Sequence, residues 1–484
     1  MAGRRWLCQL IERFRRDQRG NAAMVFGLAV LPLAAGAGLA IDTVLAYTVE
    51  DQLQKSLDAA GLAAGRTALP ENVETDARSY FDSNFNAGAD LAELRTFTVN
   101  VNEAGDELTL AATADMPTHF MRLFGHDSVT VSARTVINRE TRGMELALVM
   151  DVTGSMVTGD KIGGLKTAAN DLVDILYGDQ DTARNLWVAM VPYIAAVNVG
   201  TANRPFLAAA DRVNTTPAVF NPDGWGGCVL ARATPYDQTD DPPAVRAFAS
   251  YLYPDLPNPN WSGWQNDWGP GRSPQTRKYA AYSGSVAYWE GYGPNVGCPS
   301  AVTPLVPQKS VIKAAIADLR PWYRGGTIIS EGLVWGWRVL SPRWRGQWSG
   351  SASELPLDYT AADTDKVVVL LTDGDNQMLV QTYNSKLVSP YTAYQSHTTL
   401  GVTSEAAAKT VLDTRTTAVC TAIKGQGIIL YTISFGTVPS TQGQALLRAC
   451  ASKPTFYFHS PDNASLRAAF RNIGGQLSNL RIAR

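Results

Sequence analysis

The 484-residue sequence predicts an α/β chain in three parts. An N-terminal transmembrane helix comes first, then a small membrane-proximal α+β unit, then a doubly wound, Rossmann-like domain carrying aromatic-rich insertions. Three observations predict this. Ala22 to Ile41 is an uncharged run of 20 residues, about the length that crosses a hydrocarbon core. From Glu145 onward, apolar runs such as "MELALVMD" and "KVVVLLTD" alternate with helical periodicities, the pattern of a parallel sheet buried on both faces. Two of those runs end in an aspartate, Asp151 and Asp373, where such sheets place their ligands.

The elements follow in order. Arg4, Arg5, Arg13, Arg15, Arg16 and Arg19 crowd residues 1–20, opposed by Glu12 and Asp17. This excess predicts a cytoplasmic N-terminus and export of everything after Asp42. A signal peptide cleaved near the A-x-A at Ala35–Ala37 is the competing reading. The apolar run exceeds a usual h-region, however, and flows into a further helical pattern. We therefore expect a retained helix over 21–42. Residues 43–140 read as the membrane-proximal unit. A helix continues through Val44, Tyr47, Leu53, Leu57, Ala60 and Ala64, and a short helix lies near 75–85. The strands "RTFTVNVN" and "DELTLAATADM" flank a turn at Glu103–Asp106, and a helix runs between Pro117 and Gly125. The strand "DSVTVSARTVI" closes the unit.

The main domain is expected over 143–480. Its helices fall near 160–176, 309–319, 328–340, 404–424, 440–450 and 462–477, and its strands include "NLWVAMVPYI", "GIILYTISF" and "TFYFHS". Insertions interrupt it at about 200–305, 342–362 and 376–403. Ten of twelve tryptophans lie between Trp225 and Trp348. Trp261, Trp264, Trp268 and Trp289 could form a ligand platform, but packing of a loop-rich flap is the better reading. Arg338, Arg343 and Arg345 are expected to stack on neighbouring tryptophans as surface cation–π pairs.

Composition narrows the function. A net charge of −2 provides no basic stripe for nucleic acid. Cys8 falls on the predicted cytoplasmic side, and Cys228, Cys298, Cys420 and Cys450 fall beyond the membrane, an even number suited to two disulfides. Three pairings exist; Cys228–Cys298 with Cys420–Cys450 is preferred because each brackets one segment of a plausible unit. No Cys/His spacing suggests zinc, and the four histidines, at 119, 126, 397 and 459, are scattered.

Leu146 to Met156, "LALVMDVTGSM", is the most informative stretch. Alone, it reads equally as a metal loop, a nucleophile turn or an ordinary strand end. Its context adds Asp373 after a second apolar run and Thr327 after two glycines at a helix start. Both acids follow apolar runs, where a charge is costly unless solvated, paired or metal-bound.

Asp151-Val152-Thr153-Gly154-Ser155, Thr327 and Asp373 resemble the metal-ion-dependent adhesion site of a von Willebrand factor A domain. The resemblance implies hydroxyl ligands from Thr153, Ser155 and Thr327, with Asp151 and Asp373 holding coordinated waters or binding directly; such an oxygen-only set with retained waters suits a hard octahedral ion, Mg²⁺ first, with Mn²⁺ or Ca²⁺ as alternatives. Thr153 stands where the family has serine, keeping the hydroxyl. The N-terminal stretch "RRDQRGNAAMVFGLAVLPLAAGAGLAIDTVLAYTVEDQLQKSLDAAGLAAG" resembles TadE/TadG-like Flp (tight adherence) pilus-assembly proteins, and "GTIISEGLVWGWRVLSP" with "TDGDNQ" resembles the von Willebrand A portion of TadG-like members. Val25 occupies the position five residues after Gly20 where pilin-like relatives carry glutamate, which argues against processing as a pilin. The resemblance implies a single-pass bacterial inner-membrane protein with its bulk in the periplasm. It also implies no catalysis, and a protein partner, a pilus-assembly component or pilin, whose acidic residue completes the metal shell. Two other readings compete. In one, a metal-independent scaffold or envelope adhesin uses Asp151 and Ser155 only as caps. In the other, Ser155 is the nucleophile of a hydrolase, although "TGSM" is not G-x-S-x-G.

Overall fold

The computed structural model describes residues 19–65, 70–85, 91–102, 107–138, 142–214, 224–253, 294–322, 325–361, 364–379, 381–383, 386–388, 391–437 and 439–482. The basic segment before Arg19, the turn at 103–106 and the tryptophans 261, 264, 268 and 289 lie outside these residues. The chain divides into two compact units between Glu140 and Thr141.

The first unit is built on one long helix, α1 (Arg19–Ala64), which contains Pro32 and is long and apolar enough to cross a membrane. Its first half leaves Val25, Phe26, Leu28 and Leu33 exposed, whereas Val49, Leu53, Leu57, Ala60 and Ala64 are buried at helical spacing. Helix α2 (Pro70–Asn84) adds Val73, Ala77 and Phe81 to the same core. Strands β1 (Glu93–Val101), β2 (Glu107–Pro117) and β3 (Ser128–Asn138) form an antiparallel sheet in the order β1-β2-β3. Along β2, Leu108, Leu110, Ala112, Ala114 and Met116 point into that core, the period-two burial of a sheet with one covered face. The helix expected from Pro117 to Gly125 is not formed. Pro117 instead pairs with Ser128 as the end of β2, leaving room for a single 3₁₀ turn, Met121–Phe124, closed by Gly125 at φ 86°.

The second unit opens with β4 (Gly143–Asp151), buried throughout. There follow α3 (Lys161–Tyr177), β5 (Leu186–Tyr193), β6 (Val197–Asn198), α4 (Ala209–Asn214), β7 (Cys228–Val229), β8 (Thr303–Val306) and α5 (Lys309–Asp318). Then come β9 (Gly326–Thr327), α6 (Ile329–Arg338), β10 (Thr364–Thr372) and β11 (Gln377–Met378). A small hairpin of β12 (Gln381–Tyr383) and β13 (Lys386–Val388) precedes α7 (Glu405–Gly425), β14 (Ile429–Phe435), α8 (Thr441–Cys450), β15 (Tyr457–Ser460) and α9 (Asn463–Ile482). Serine caps begin α7 and α8, with Ser404 accepting from the Ala407 N–H and Ser440 from the Gly443 N–H.

The main sheet runs β15-β14-β10-β4-β5-β6-β7, with β8 also on β5. The five strands from β15 to β5 are parallel; β6, β7 and β8 add antiparallel pairings at one side. Alternate residues of β4 serve opposite layers. Leu146, Leu148 and Met150 join a core with Leu165, Leu172 and Phe470, while Ala147 and Val149 join one with Leu333, Val334 and Trp335. This is a doubly wound, Rossmann-like α/β core.

Parts expected as insertions belong to that core. Trp344 and Trp348 stack with ring centroids 5.5 Å apart and pack edge-on against Trp335. Arg338 lies over Trp335 as expected but is buried rather than on the surface. Its guanidinium donates to the carbonyls of Tyr236 and Thr239, groups the sequence does not reveal as neighbours. Cys228 is bonded to Cys298, and Cys420 to Cys450.

Close packing of α6 on the sheet depends on its glycines. A Cβ on Gly336 would strike Val149, and one on Gly332 the ring of Tyr193. We expect Gly336→Ala to destabilise this unit by about 1–3 kcal/mol through overpacking. Urea unfolding followed by tryptophan fluorescence should show a lower midpoint with an unchanged slope.

Candidate metal centre

The register of the parallel strands sets the site. Met150 of β4 pairs with Leu371 of β10, so Asp151 and Asp373 emerge from adjacent strands at the same sheet edge. Both carboxylates are fully buried. The Asp151 carboxylate accepts from its own loop, Thr153 N–H to Oδ1 at 2.8 Å, and from the neighbouring strand, the Thr372 hydroxyl to Oδ2 at 2.7 Å. The Thr153 and Ser155 hydroxyls are 2.9 Å apart, and Ser155 donates to Asp373 Oδ1 at 2.6 Å. Lys161, the first residue of α3, reaches back so that its Nζ donates to Asp373 Oδ2 at 2.5 Å.

The surrounding loops are held by backbone bonds. Val152 donates to the Tyr193 carbonyl and accepts from the Trp322 N–H at 2.7 Å, which fixes the Asp151–Ser155 loop on both sides. Thr327 sits in β9, paired antiparallel with β11 just beyond Asp373. Ile328, the residue before α6, makes no side-chain cap; the Asn376 side-chain oxygen accepts from Ile329 N–H instead, at 2.9 Å. Asn376 thus ties the Asp373 loop to the loop carrying Thr327. Of the five expected ligands, the structure joins Asp151, Thr153, Ser155 and Asp373 in one hydrogen-bonded chain. Thr327 is buried at the same edge but, among the described residues, its hydroxyl is not bonded to the other four. Ser155 is exposed and the other four are buried, so the site opens at Ser155.

Sequence reasoning missed Lys161, Thr372 and Asn376. Thr372 and Asn376 flank Asp373 in "TDGDN", and Lys161 opens the helix after "VTGD"; position near the motif was the available signal, but their partners come from the fold.

The electrostatics are those of two buried carboxylates of which one, Asp373, is paired with a lysine. Among the described residues, Asp151 meets two neutral donors and no cation. Burial first, and the nearby Asp373 charge second, push its carboxyl up to about 7. Burial and the Asp151 charge likewise raise the Tyr193 hydroxyl, which donates to the Leu371 carbonyl behind the site. Two carboxylates and hydroxyl oxygens, without sulfur or imidazole, form a hard donor set that fits Mg²⁺ and similar ions. Among the described residues no cluster of three or more His, Cys, Asp or Glu side chains offers another kind of metal site.

A doubly wound sheet whose carboxyl edge gathers an Asp-x-Thr-x-Ser loop, a threonine loop and an aspartate loop is the arrangement that the sequence's resemblance to von Willebrand factor A domains implies. The N-terminal part has its own relatives: residues 20–67 match the family model of putative Flp pilus-assembly TadE/G-like proteins. The chain is therefore TadE/G-like in its N-terminal segment and von Willebrand A-like in its main unit.

Solved structures with similarity include proximal thread matrix protein 1 from the mussel byssus with a zinc-occupied MIDAS motif. It is 13% identical over 70% of this chain and 46% of that one, with a TM-score of 0.31. The von Willebrand domain of the type V pili tip protein Mfa5 from Porphyromonas gingivalis is 10% identical, over 71% of this chain and 97% of that one, at 0.36. The pilus adhesin SpaC from Lactobacillus rhamnosus GG is 9% identical, over 80% and 34%, at 0.33. This chain spans under half the length of the mussel protein. At these scores the likeness adds nothing to the sheet order and strand-end loops that define the fold. No curated protein matches the chain.

The raised Asp151 carboxyl has a stability consequence with a definite sign. Its ordinary value of 3.8 lies below its folded value of about 7, so between these pH values the folded chain holds a proton that the unfolded chain has released. In chelator, this group's contribution to stability falls by about 1–4 kcal/mol as pH rises from 4 to 7 and is level above that. Asp151→Asn should lack that part of the slope, checked as the difference between the two proteins' urea midpoints at pH 4.5 and 7.5.

Proposed function

We propose that the chain is a membrane-anchored, extracytoplasmic von Willebrand A protein of the Flp/Tad pilus-assembly machinery. It binds a protein partner through a divalent metal, Mg²⁺ in the first instance, held by Asp151, Thr153, Ser155, Thr327 and Asp373. The carrying observation is the pair of buried carboxylates on adjacent strand ends with one lysine, Lys161, bonded to Asp373. Such a pair holds one negative charge more than its protein partners neutralise. The bound ion would supply that charge and leave a Lewis-acidic position for an acidic side chain of the partner, a component of the pilus apparatus or a pilin. Ser155 would present the accessible edge of the site, while Thr372 and the Thr153 N–H orient Asp151. Helix α1 would span the bacterial inner membrane once, with the arginine-rich end cytoplasmic and both folded units periplasmic. This role requires no nucleophile or proton shuttle, and Ser155, engaged by Thr153 and Asp373 rather than histidine, suits a ligand better than a hydrolase nucleophile.

The Lys161–Asp373 ion pair favours one second reading. A tethered ammonium already satisfies one carboxylate, so the edge could persist as a metal-independent scaffold. Calorimetry decides between them. We expect Mg²⁺ binding that is lost in Asp151→Ala, weakened about 10–100-fold in Thr372→Val, as for residues that orient a ligand, and strengthened in Lys161→Met. Absence of Mg²⁺ or Mn²⁺ binding to the wild-type chain would favour the scaffold. Pull-downs from membranes test the function itself. Partners retained by the wild type should be lost both with Asp151→Ala and with chelator, and retention in both would defeat the metal-bridge reading.

A further inference from the structure

We propose that the turn between β2 and β3 is a membrane-docking finger, with Phe120, Leu123 and Phe124 seated in the interfacial layer of the bilayer beside α1. The proposal rests on the reading of α1 as a membrane anchor. It begins with Asp42, the first charged residue after the run Ala22–Ile41. This carboxylate is buried and accepts three backbone N–H bonds from the turn: His119 at 2.9 Å, Phe120 at 2.8 Å and Met121 at 2.7 Å. The turn is thereby pinned to the helix where the apolar run ends.

The turn also reaches back toward the membrane. The Phe120 ring lies against Gly38, so close that a Cβ there would be 2.5 Å from its Cγ. Gly38 is one helical turn inside the apolar run, about 6 Å from Asp42 along the axis. That is within the 5–10 Å to which interfacial segments sink at the headgroup boundary. The backbone of the finger is closed, with Thr118 N–H bonded to the Asp127 carbonyl, Gly125 N–H to that of Arg122 and His126 N–H to that of Met121.

What the finger displays is apolar. Leu123 is 75% exposed, Phe124 62% and Phe120 37%, although the core of this unit lies close by beneath β2. Arg122 is the charged residue among them; phenylalanine and leucine are side chains that enter the interfacial layer, and an arginine there can keep its guanidinium among the headgroups. On α1, Leu39 and Ile41, beside the Gly38 that Phe120 packs against and the Asp42 that holds the turn, are also exposed. One lipid environment covers both.

The test uses the full chain with Cys8→Ser, leaving the disulfide-bonded cysteines in place. Single cysteines at Leu123, Phe124, Leu33 and Leu62 carry a nitroxide, and the protein is reconstituted into phosphatidylcholine/phosphatidylglycerol vesicles. Leu33 lies within the apolar run, and Leu62 is about 30 Å beyond Asp42 along the same helix. Accessibility to oxygen relative to a water-soluble nickel complex reads depth. We expect ratios at 123 and 124 several-fold above that at 62 and below that at 33. A lipid-buried label at 33 with labels at 123 and 124 as aqueous as that at 62 would overturn the finger and leave the anchor standing. Labels at 123 and 124 shielded from both reagents would mean a protein contact and would equally overturn it. A water-accessible label at 33 would remove the anchor reading, and the finger with it.

Discussion

The main unit is organised around two carboxylates that parallel pairing forces together. With Met150 opposite Leu371, an acid ending β4 and an acid just beyond β10 share one pocket away from water. An isolated buried charge there costs several kcal/mol, and two of like sign raise each other's cost. The nearby polar groups each address some part of that cost. Thr372 and the Thr153 N–H solvate Asp151; Ser155 and Lys161 solvate Asp373. One ammonium neutralises one carboxylate, so the second must take up a proton or find a cation. The raised Asp151 carboxyl takes the first of these courses, holding its proton to about pH 7.

Such a pocket requires rigid loops, and their rigidity comes from outside the motif. Asn376 replaces the missing cap of α6 and also donates to Asp413 and Thr416 of α7. The Asp373 loop, the Thr327 loop and the neighbouring helix α7, which packs in the same layer as α6, are thereby held by one side chain. Trp322 and Tyr193 clamp Val152 by backbone bonds alone, which leaves the side chains of the motif free to face the site. Tight seating of α6 through Gly332 and Gly336 places the start of that helix, and hence Thr327, at a defined height over the strand ends.

Much of this was legible in the sequence, for physical reasons. Strands buried on both faces have to be apolar throughout, so β4 and β10 stand out, and an acid closing each run is conspicuous because it is expensive. Long helices with one covered face show their period. What stayed hidden depends on contacts between distant segments. Lys161 reads as a surface lysine at a helix start until α3 turns its amine onto Asp373. Arg338 reads as a surface cation until residues 236–239 cover it. Pro117 reads as a helix opener because proline is favoured in the first turn of a helix, and only its pairing with Ser128 at the end of β2 decides otherwise. The antiparallel strand β8 is four residues of ordinary sequence beyond a long insertion, and no local periodicity marks it.

Helix α1 raises the related problem of one element obeying two solvents. Toward its N-terminal end, apolar side chains are exposed around the helix; from Val49 to Ala64 most of them form one buried stripe, with Leu62 outside it. No glycine, proline or cap separates the two regimes, so the backbone continues unbroken across the boundary. Asp42 makes this workable. A buried carboxylate needs solvation that water does not reach, and three amide N–H groups of the β2–β3 turn supply it instead. Those bonds run from the helix to the end of the strand whose alternate residues bury the stripe. The position of α1 along its own axis is therefore coupled to the sheet of the first unit, and a rigid rod rather than a flexible linker joins the apolar run to that sheet.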